Sequence, residues 1–251
     1  MIDDPLELLS EEARAVLRKA QKTPLSYGVR MYTAPPGTRP RVLVVLGEAH
    51  IKLGAASSLG KEIVRCFSLR GIETFQVKKA FMGRALWAVI HLPRLALRTV
   101  TLGFVKGSTI VDAKEVPAGT TVEIEKTEHM PLSLHVASAY LTVFFGAFWA
   151  HFLLLMVGIP LPMLTALLAL FELHMLLIVP AILLRKHAWS WVLHPAVAIL
   201  TVRDTIMAEG IARMMKEHEE PSTAIAIMGR AHLPGVEREL VEKHGFTKIN
   251  V

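Results

Sequence analysis

The sequence predicts an α/β fold, a mostly parallel sheet with flanking helices, interrupted by an inserted two-helix transmembrane hairpin. Three observations lead there. Short β-branched runs alternate with helical patterns near both ends of the chain, which is how a parallel sheet reads. Between them lie two apolar runs, 132–157 and 161–184, each long enough to cross a ~30 Å hydrocarbon core at about 1.5 Å per residue. Lysine and arginine flank both runs and are absent from the turn that joins them. A chain of 251 residues accommodates one core and such an insertion. The expected division is 1–130 for the N-terminal half of the domain, 131–186 for the hairpin and 187–251 for the C-terminal half.

Taken in order, Leu8, Leu9, Ala13, Val16 and Leu17 recur at helical spacing, so 6–20 reads as an amphipathic helix capped by Ser10. Residues 27–32 read as a short strand and Ala34-Pro35-Pro36-Gly37 as a turn. Arg41-Val42-Leu43-Val44-Val45-Leu46 is nearly continuous and β-branched, as in a strand buried on both faces. A helix over 57–69 follows, then Gly71 and a second strand over 74–77. Residues 109–116 and 121–126, joined by Pro117-Ala118-Gly119-Thr120, read as a β-hairpin. At the far end 203–219 is helical, Ala224-Ile225-Ala226-Ile227-Met228 a buried strand, 236–243 a helix and 246–251 the last strand.

The apolar fraction of 52% is concentrated in the middle, where Glu172 is the lone Asp, Glu, Lys or Arg across both long runs. The net charge of +6 sits largely beside them. Residues 77–111 hold Lys78, Lys79, Arg84, Arg94, Arg98 and Lys106 with no acidic residue, and Arg185 and Lys186 close the second run. Both feet of the hairpin, and the α/β domain with them, should therefore face the cytoplasm. Within the basic segment 78–106, Arg84, His91, Arg94 and Arg98 share one helical face, which suits the plane of an anionic leaflet, while Pro93 should kink or divide the helix. Trp189 and Trp191 suit an interfacial belt. These charges are not interleaved with aromatics that would stack bases, so the expected partner is a lipid bilayer and no nucleic acid. Cys66 is the one cysteine, which rules out an intrachain disulfide and permits a reducing compartment. The N-terminal residues lack a basic start followed by an apolar stretch, so no cleaved signal peptide is expected.

Two short segments match each other. Gly47-Glu48-Ala49-His50 follows the first buried strand and Gly229-Arg230-Ala231-His232 the penultimate one. Parallel strands deliver such residues to the carboxyl edge of a sheet, where ligands of open α/β sheets bind. Glycine permits a sharp turn there, and histidine offers a nitrogen to a metal, a proton or a substrate.

The paired motifs, with Arg203-Asp204-Thr205-Ile206-Met207-Ala208 and His232-Leu233-Pro234-Gly235-Val236, resemble the TraB/PrgY and Tiki family within the superfamily of ChaN-like proteins and erythromycin esterases. The resemblance covers roughly 41–77 and 201–251. It implies a hydrolase pocket built on both histidines and a first-motif carboxylate, with an arginine matching Arg203, and it leaves the substrate open among peptide, ester and lipid-derived molecules. On this reading Glu48 is a general base, and His50 and His232, with Glu48, either ligate a divalent metal or act as base and acid. Arg203 pairs with Glu48 or stabilises an oxyanion, and Arg230 and Asp204 contact substrate. On the same resemblance the family's second-strand glutamate corresponds to Gln76 or Lys78, with Glu73 placed too early in the strand.

Inside the hairpin, depth along the two runs pairs His151 with Glu172 or His174 as interhelical glue, which also favours a homo-oligomer formed through the hairpin. Two functions are consistent with all this. One is a membrane-anchored, possible metal-dependent hydrolase (peptidase or esterase); the other is a catalytically inactive, signal-binding or regulatory protein of the same fold.

Overall fold

A computed structural model of the chain describes residues 5–35, 41–49, 56–100, 109–159, 161–184, 187 and 189–249. In chain order the elements are α1 (Glu11–Gln21), β1 (Tyr27–Thr33), β2 (Val42–Glu48), α2 (Ala56–Arg65), β3 (Leu69–Ile72), α3 (Gly83–Val100), α4 (Thr109–Glu115), β4 (Thr120–Glu123), α5 (Leu132–Met156), α6 (Pro162–Met175), α7 (Ile178–Leu183), α8 (Ser190–Leu193), α9 (Ala198–Glu217), β5 (Thr223–Gly229), α10 (Leu233–Glu242) and β6 (Thr247–Ile249). They gather into two compact units, one of Met1–Thr74, Arg98–Lys126 and Asp204–Val251, the other of Phe75–Leu97 and Thr127–Arg203.

The first unit is the expected α/β fold. Its six strands run in the order β4-β3-β5-β2-β1-β6, with β4, β3, β5 and β2 mutually parallel and β1 antiparallel to both its neighbours. Alternation along β2 fills two cores. Val42, Val44 and Leu46 join Ile63 and Val64 of α2, Phe67 just beyond it, and Ala13, Val16 and Leu17 of α1. Leu43 and Val45 point the other way, into Met207, Ile211 and Met214 of α9 and Val236 and Leu240 of α10. Ser10 caps α1 as expected, its hydroxyl accepting the Ala13 amide at 3.1 Å.

The second strand is Leu69–Ile72, five residues earlier than the sequence pattern suggests. A buried arginine explains the shift. Arg70, 1% exposed, puts a guanidinium where an apolar residue is expected. It donates through Nε to the Val64 and Phe67 carbonyls, through Nη1 to Val116 and through Nη2 to Ala118. Those carbonyls end α2 and follow α4, so the cation faces the negative ends of two helices. Residues 74–77 are not a strand: Phe75 is left-handed (φ 43°) and 3₁₀ helix runs over Gln76–Lys79. The expected β-hairpin over 109–126 is also absent. Thr109–Glu115 is helical and β4 lies parallel to β3, an arrangement a tight hairpin cannot produce.

The second unit is helical. α5 runs unbroken for 25 residues, and among the described residues it is the one helix long and apolar enough to cross a membrane. With 17% of its most apolar window buried, it is not the core helix of this unit. The second apolar run is not one span: it breaks at Leu176–Leu177 between α6 and α7. Pro180 is the cause, since it has no amide to donate and crowds the carbonyl four residues back, that of Leu176. α5 and α6 pack antiparallel, but His151 does not meet the expected partner His174. His151 Nε2 lies 3.4 Å from Thr165 Oγ1, and His174 Nδ1 lies 2.6 Å from the Tyr140 hydroxyl. Partners across this turn sit equally far from it, which His151 and His174 do not. The side chain of Glu172 lies outside the described residues. α3 passes through Pro93 without being divided.

Three side chains from the start of α5 hold the turn before α3. His135 Nδ1 accepts the Phe81 amide at 2.7 Å, Ser138 donates to the Phe81 carbonyl, and Thr142 donates to that of Met82. Beyond α7, His194 is fully buried, stacked on His174 with ring centroids 4.9 Å apart.

Two outcomes follow. Replacing Arg70 with Met leaves buried helix-end carbonyls without their cation and should lower unfolding free energy by about 3 kcal/mol or more, read from denaturant titration. Burial, and then the neighbouring His174, push the His194 imidazole below its ordinary value of 6.5. The folded state thus holds His194 neutral while the unfolded chain takes up a proton, so stability is full above pH 6.5 and falls as pH drops from there toward the lowered value. Thermal unfolding from pH 7.5 to 5 should show that loss, and His194→Gln should flatten it.

Candidate active site

The carboxyl ends of β2, β5 and β3 lie side by side, because β5 pairs with β2 on one flank and β3 on the other. The register sets Glu48 opposite Gly229, so the two Gly-x-x-His motifs leave neighbouring strands one residue out of step. Both glycines belong to the strands and neither has a positive φ, so the turn does not depend on them.

Each site residue has a distinct origin. Glu48 ends β2, is 1% exposed, and accepts the Thr109 amide at 2.8 Å through Oε2, which ties the start of α4 to the sheet edge. After Gly229 a single 3₁₀ turn, Arg230–His232, brings the His232 imidazole back over the end of the sheet. Its Nδ1 lies 2.6 Å from Oδ1 of Asp204, on α9. An ionised carboxylate only accepts, so Asp204 places the proton on Nδ1 and leaves Nε2 to act as base when neutral and as acid when charged. That second nitrogen faces Glu73 Oε1 at 3.9 Å. Glu73 comes immediately after β3: its amide extends the ladder to the Ile227 carbonyl at 3.0 Å, and its Oε2 accepts the Gly229 amide at 2.5 Å. One carboxylate thus fixes the ring, the other lies across the free nitrogen, and all three side chains are at least 94% buried.

Asp204 keeps its place because α10 begins against it. A Cβ on Gly235 would lie 1.7 Å from Asp204 Oδ2, so only glycine allows the carboxylate to rest against that first turn. A carboxylate at a helix N-terminus meets its positive end.

Of the residues expected at the site, the structure brings His232 and Asp204 together with Glu73. Asp204 bonds His232 and so positions it, where contact with substrate was the expectation. Glu73, read as too early in its strand, comes immediately after β3, at the strand's carboxyl end. The signal for it was present in Leu69-Arg70-Gly71-Ile72, and the charge of Arg70 concealed it. His50 lies outside the described residues. Arg203 is buried in the helical unit with its guanidinium 4.9 Å from the Phe75 ring centroid. Arg230 is exposed and donates to the Pro24 carbonyl.

Among the described residues no group of three or more His, Cys, Asp or Glu side chains is arranged to hold a metal ion. What the arrangement can do is move a proton: Nε2 and Glu73 Oε1 are too far apart to bond directly, yet close enough for one water to bond to both.

The Asp204–His232 bond can be checked directly. A downfield Nδ1 proton resonance should be visible in the wild-type protein and lost in Asp204→Asn. Gly235→Ala should weaken or abolish the same resonance by displacing the carboxylate, with a stability loss of about 1–3 kcal/mol.

No protein-family model, curated protein or solved structure matches the chain.

Proposed function

We propose that this protein is a membrane-anchored hydrolase of the TraB/Tiki type, acting on a peptide, ester or lipid-derived substrate by general acid–base chemistry. The observation that carries the reading is a buried imidazole held between two carboxylates, at the joint carboxyl edge of three parallel strands. That edge is where α/β sheets bind ligands, and the water-poor surroundings strengthen each charge there.

In this reading Asp204 is a positioning residue that fixes the tautomer and supports the imidazolium. His232 Nε2 draws a proton from water as that water attacks the substrate carbonyl carbon, then returns it to the leaving group as the carbon–heteroatom bond breaks. Glu73 holds the water on its far side and stabilises the charged ring. Glu48 keeps the loop before α4 on the sheet edge. Metal assistance, which the family resemblance implies, requires His50 in addition to these residues. The anchor is the hairpin of α5 and α6, with the α/β unit on the cytoplasmic side, as the basic residues at its feet favour. Apolar faces on both helices support self-association through the hairpin as well.

A silent, signal-binding relative loses its main support once a glutamate stands at the end of β3. Activity profiling on amide and ester substrates tests the choice. His232→Ala and Glu73→Gln should each lower turnover by about 10²–10⁴-fold while the unfolding transition is retained. Loss of fold in both variants, with no turnover by the wild-type protein, would leave only a buried polar network that braces the sheet.

A further inference from the structure

The hairpin of α5 and α6 divides into a packed base and a bare tip. Ser133, Leu134, Ala137, Ser138, Leu141, Thr142 and Phe144, in the first part of α5, are buried. From there outward Phe148, Phe152, Leu153 and Met156 are exposed, and on α6 so are Met163, Leu167, Leu170 and Leu173. Such an apolar surface needs a cover, and what lies at its base indicates which one. Lys78, Lys79 and Arg84 cluster around Trp87, with Lys78 Nζ 4.4 Å from the ring centroid and Phe81 66% exposed beside them. The hydrogen bonds from His135, Ser138 and Thr142 fasten this cationic corner to the foot of α5. Any side chain on Gly83 would collide with the Val77 carbonyl, 1.8 Å from a Cβ built there, so the corner is tightly folded. Cations and an exposed aromatic residue at one end of an apolar projection suit an anionic leaflet.

How far the projection reaches is set by its length and its tip. From Thr142, the last residue of the fastening, to Val157 is about 22 Å at 1.5 Å per residue, and the 14 residues of α6 give about 21 Å. Both fall short of a ~30 Å hydrocarbon core. The tip, Met156-Val157-Gly158-Ile159-Pro160-Leu161-Pro162-Met163, has no polar side chain. Part of its backbone is satisfied internally: Gly158 donates to Leu155, Ile159 donates to Leu154, and Pro160 and Pro162 have no amide hydrogen. Internal bonds and prolines of this kind lower the cost of placing the turn in lipid, although α6 begins without a side-chain cap.

We infer that the hairpin is monotopic: it enters one anionic leaflet tip first from its cationic base and ends inside the hydrocarbon without reaching the far surface. This rests on the membrane reading above and replaces a full crossing with a one-sided anchor.

Cysteine labelling tests it in the full-length protein. Cys66→Ser removes the native thiol, and Lys79→Cys or Ile159→Cys then supplies one probe, with the protein reconstituted in phosphatidylglycerol–phosphatidylcholine vesicles. An impermeant maleimide should label Lys79→Cys from one face and Ile159→Cys from neither. A bimane on Ile159→Cys should be quenched more by lipids carrying a nitroxide deep in the acyl chain than by lipids carrying it near the headgroup. Labelling of Ile159→Cys from the face opposite Lys79→Cys overturns the inference and leaves membrane anchoring intact. Labelling of both from the same face, with release of the protein by alkaline carbonate, overturns the membrane reading itself.

Discussion

The position of β5 is the constraint on which the rest depends. Residues 223–229 pair along their whole length with β2 and over four residues with β3, both parallel, so a strand from the last thirty residues forms the centre of the sheet. Without it β2 and β3 have no common neighbour, Glu73 has no Gly229 amide to bond, and His232 has no sheet edge to close over. The 77 residues from Thr127 to Arg203 lie outside the α/β unit and can vary in length or character as long as Lys126 and Asp204 keep their places. An insertion there is tolerated because the entropy of closing a long loop grows only slowly with length.

Charge is sorted across the sheet by the same geometry. In parallel α/β units the helices begin at the carboxyl edge and end at the amino edge, which makes the two edges electrostatically unlike. The buried carboxylates occupy the first: Glu48 takes the Thr109 amide at the start of α4, and Asp204 rests against the first turn of α10. Buried guanidiniums occupy the second. Arg70 gathers carbonyls at the ends of α2 and beyond α4, and Arg41 those of Met215, His218 and Pro221 at the end of α9. Arg70 and Arg41 are therefore engaged at the edge opposite the site carboxylates. His232 lies between Asp204 and Glu73, an arrangement suited to shuttling one proton.

Where residues followed a single physical rule, the sequence was legible. β2 and β5 are apolar on both faces and end at matching motifs, so their burial, adjacency and carboxyl-edge role could all be anticipated. β3 was misplaced because Arg70 breaks the apolar run, and its partners are helix ends far away in sequence that no local pattern reveals. α4 was misread because Thr109-Ile110-Val111 is β-branched; its helix is dictated by the parallel pairing of β3 with β4, a tertiary effect. Composition identified the second apolar run but not its break, although Pro180 marks the place. Depth was judged for His151 in one dimension only, and the antiparallel packing selected Thr165. Glu73 was lost as a direct consequence of the shift in β3.

Two of the four chain crossings between the units are next in sequence to residues of the site. Thr74 and Phe75 separate immediately after Glu73, and Arg203 and Asp204 separate immediately before the carboxylate that holds His232. On the helical side the two crossing segments are joined to each other, since Arg203 lies over the Phe75 ring. Phe75 holds a left-handed backbone conformation that a bulky residue adopts only under constraint, and this contact is one such constraint. Glu73 and Asp204, the two carboxylates on either side of the imidazole, are therefore next in sequence to two of the segments that lead into the helical unit.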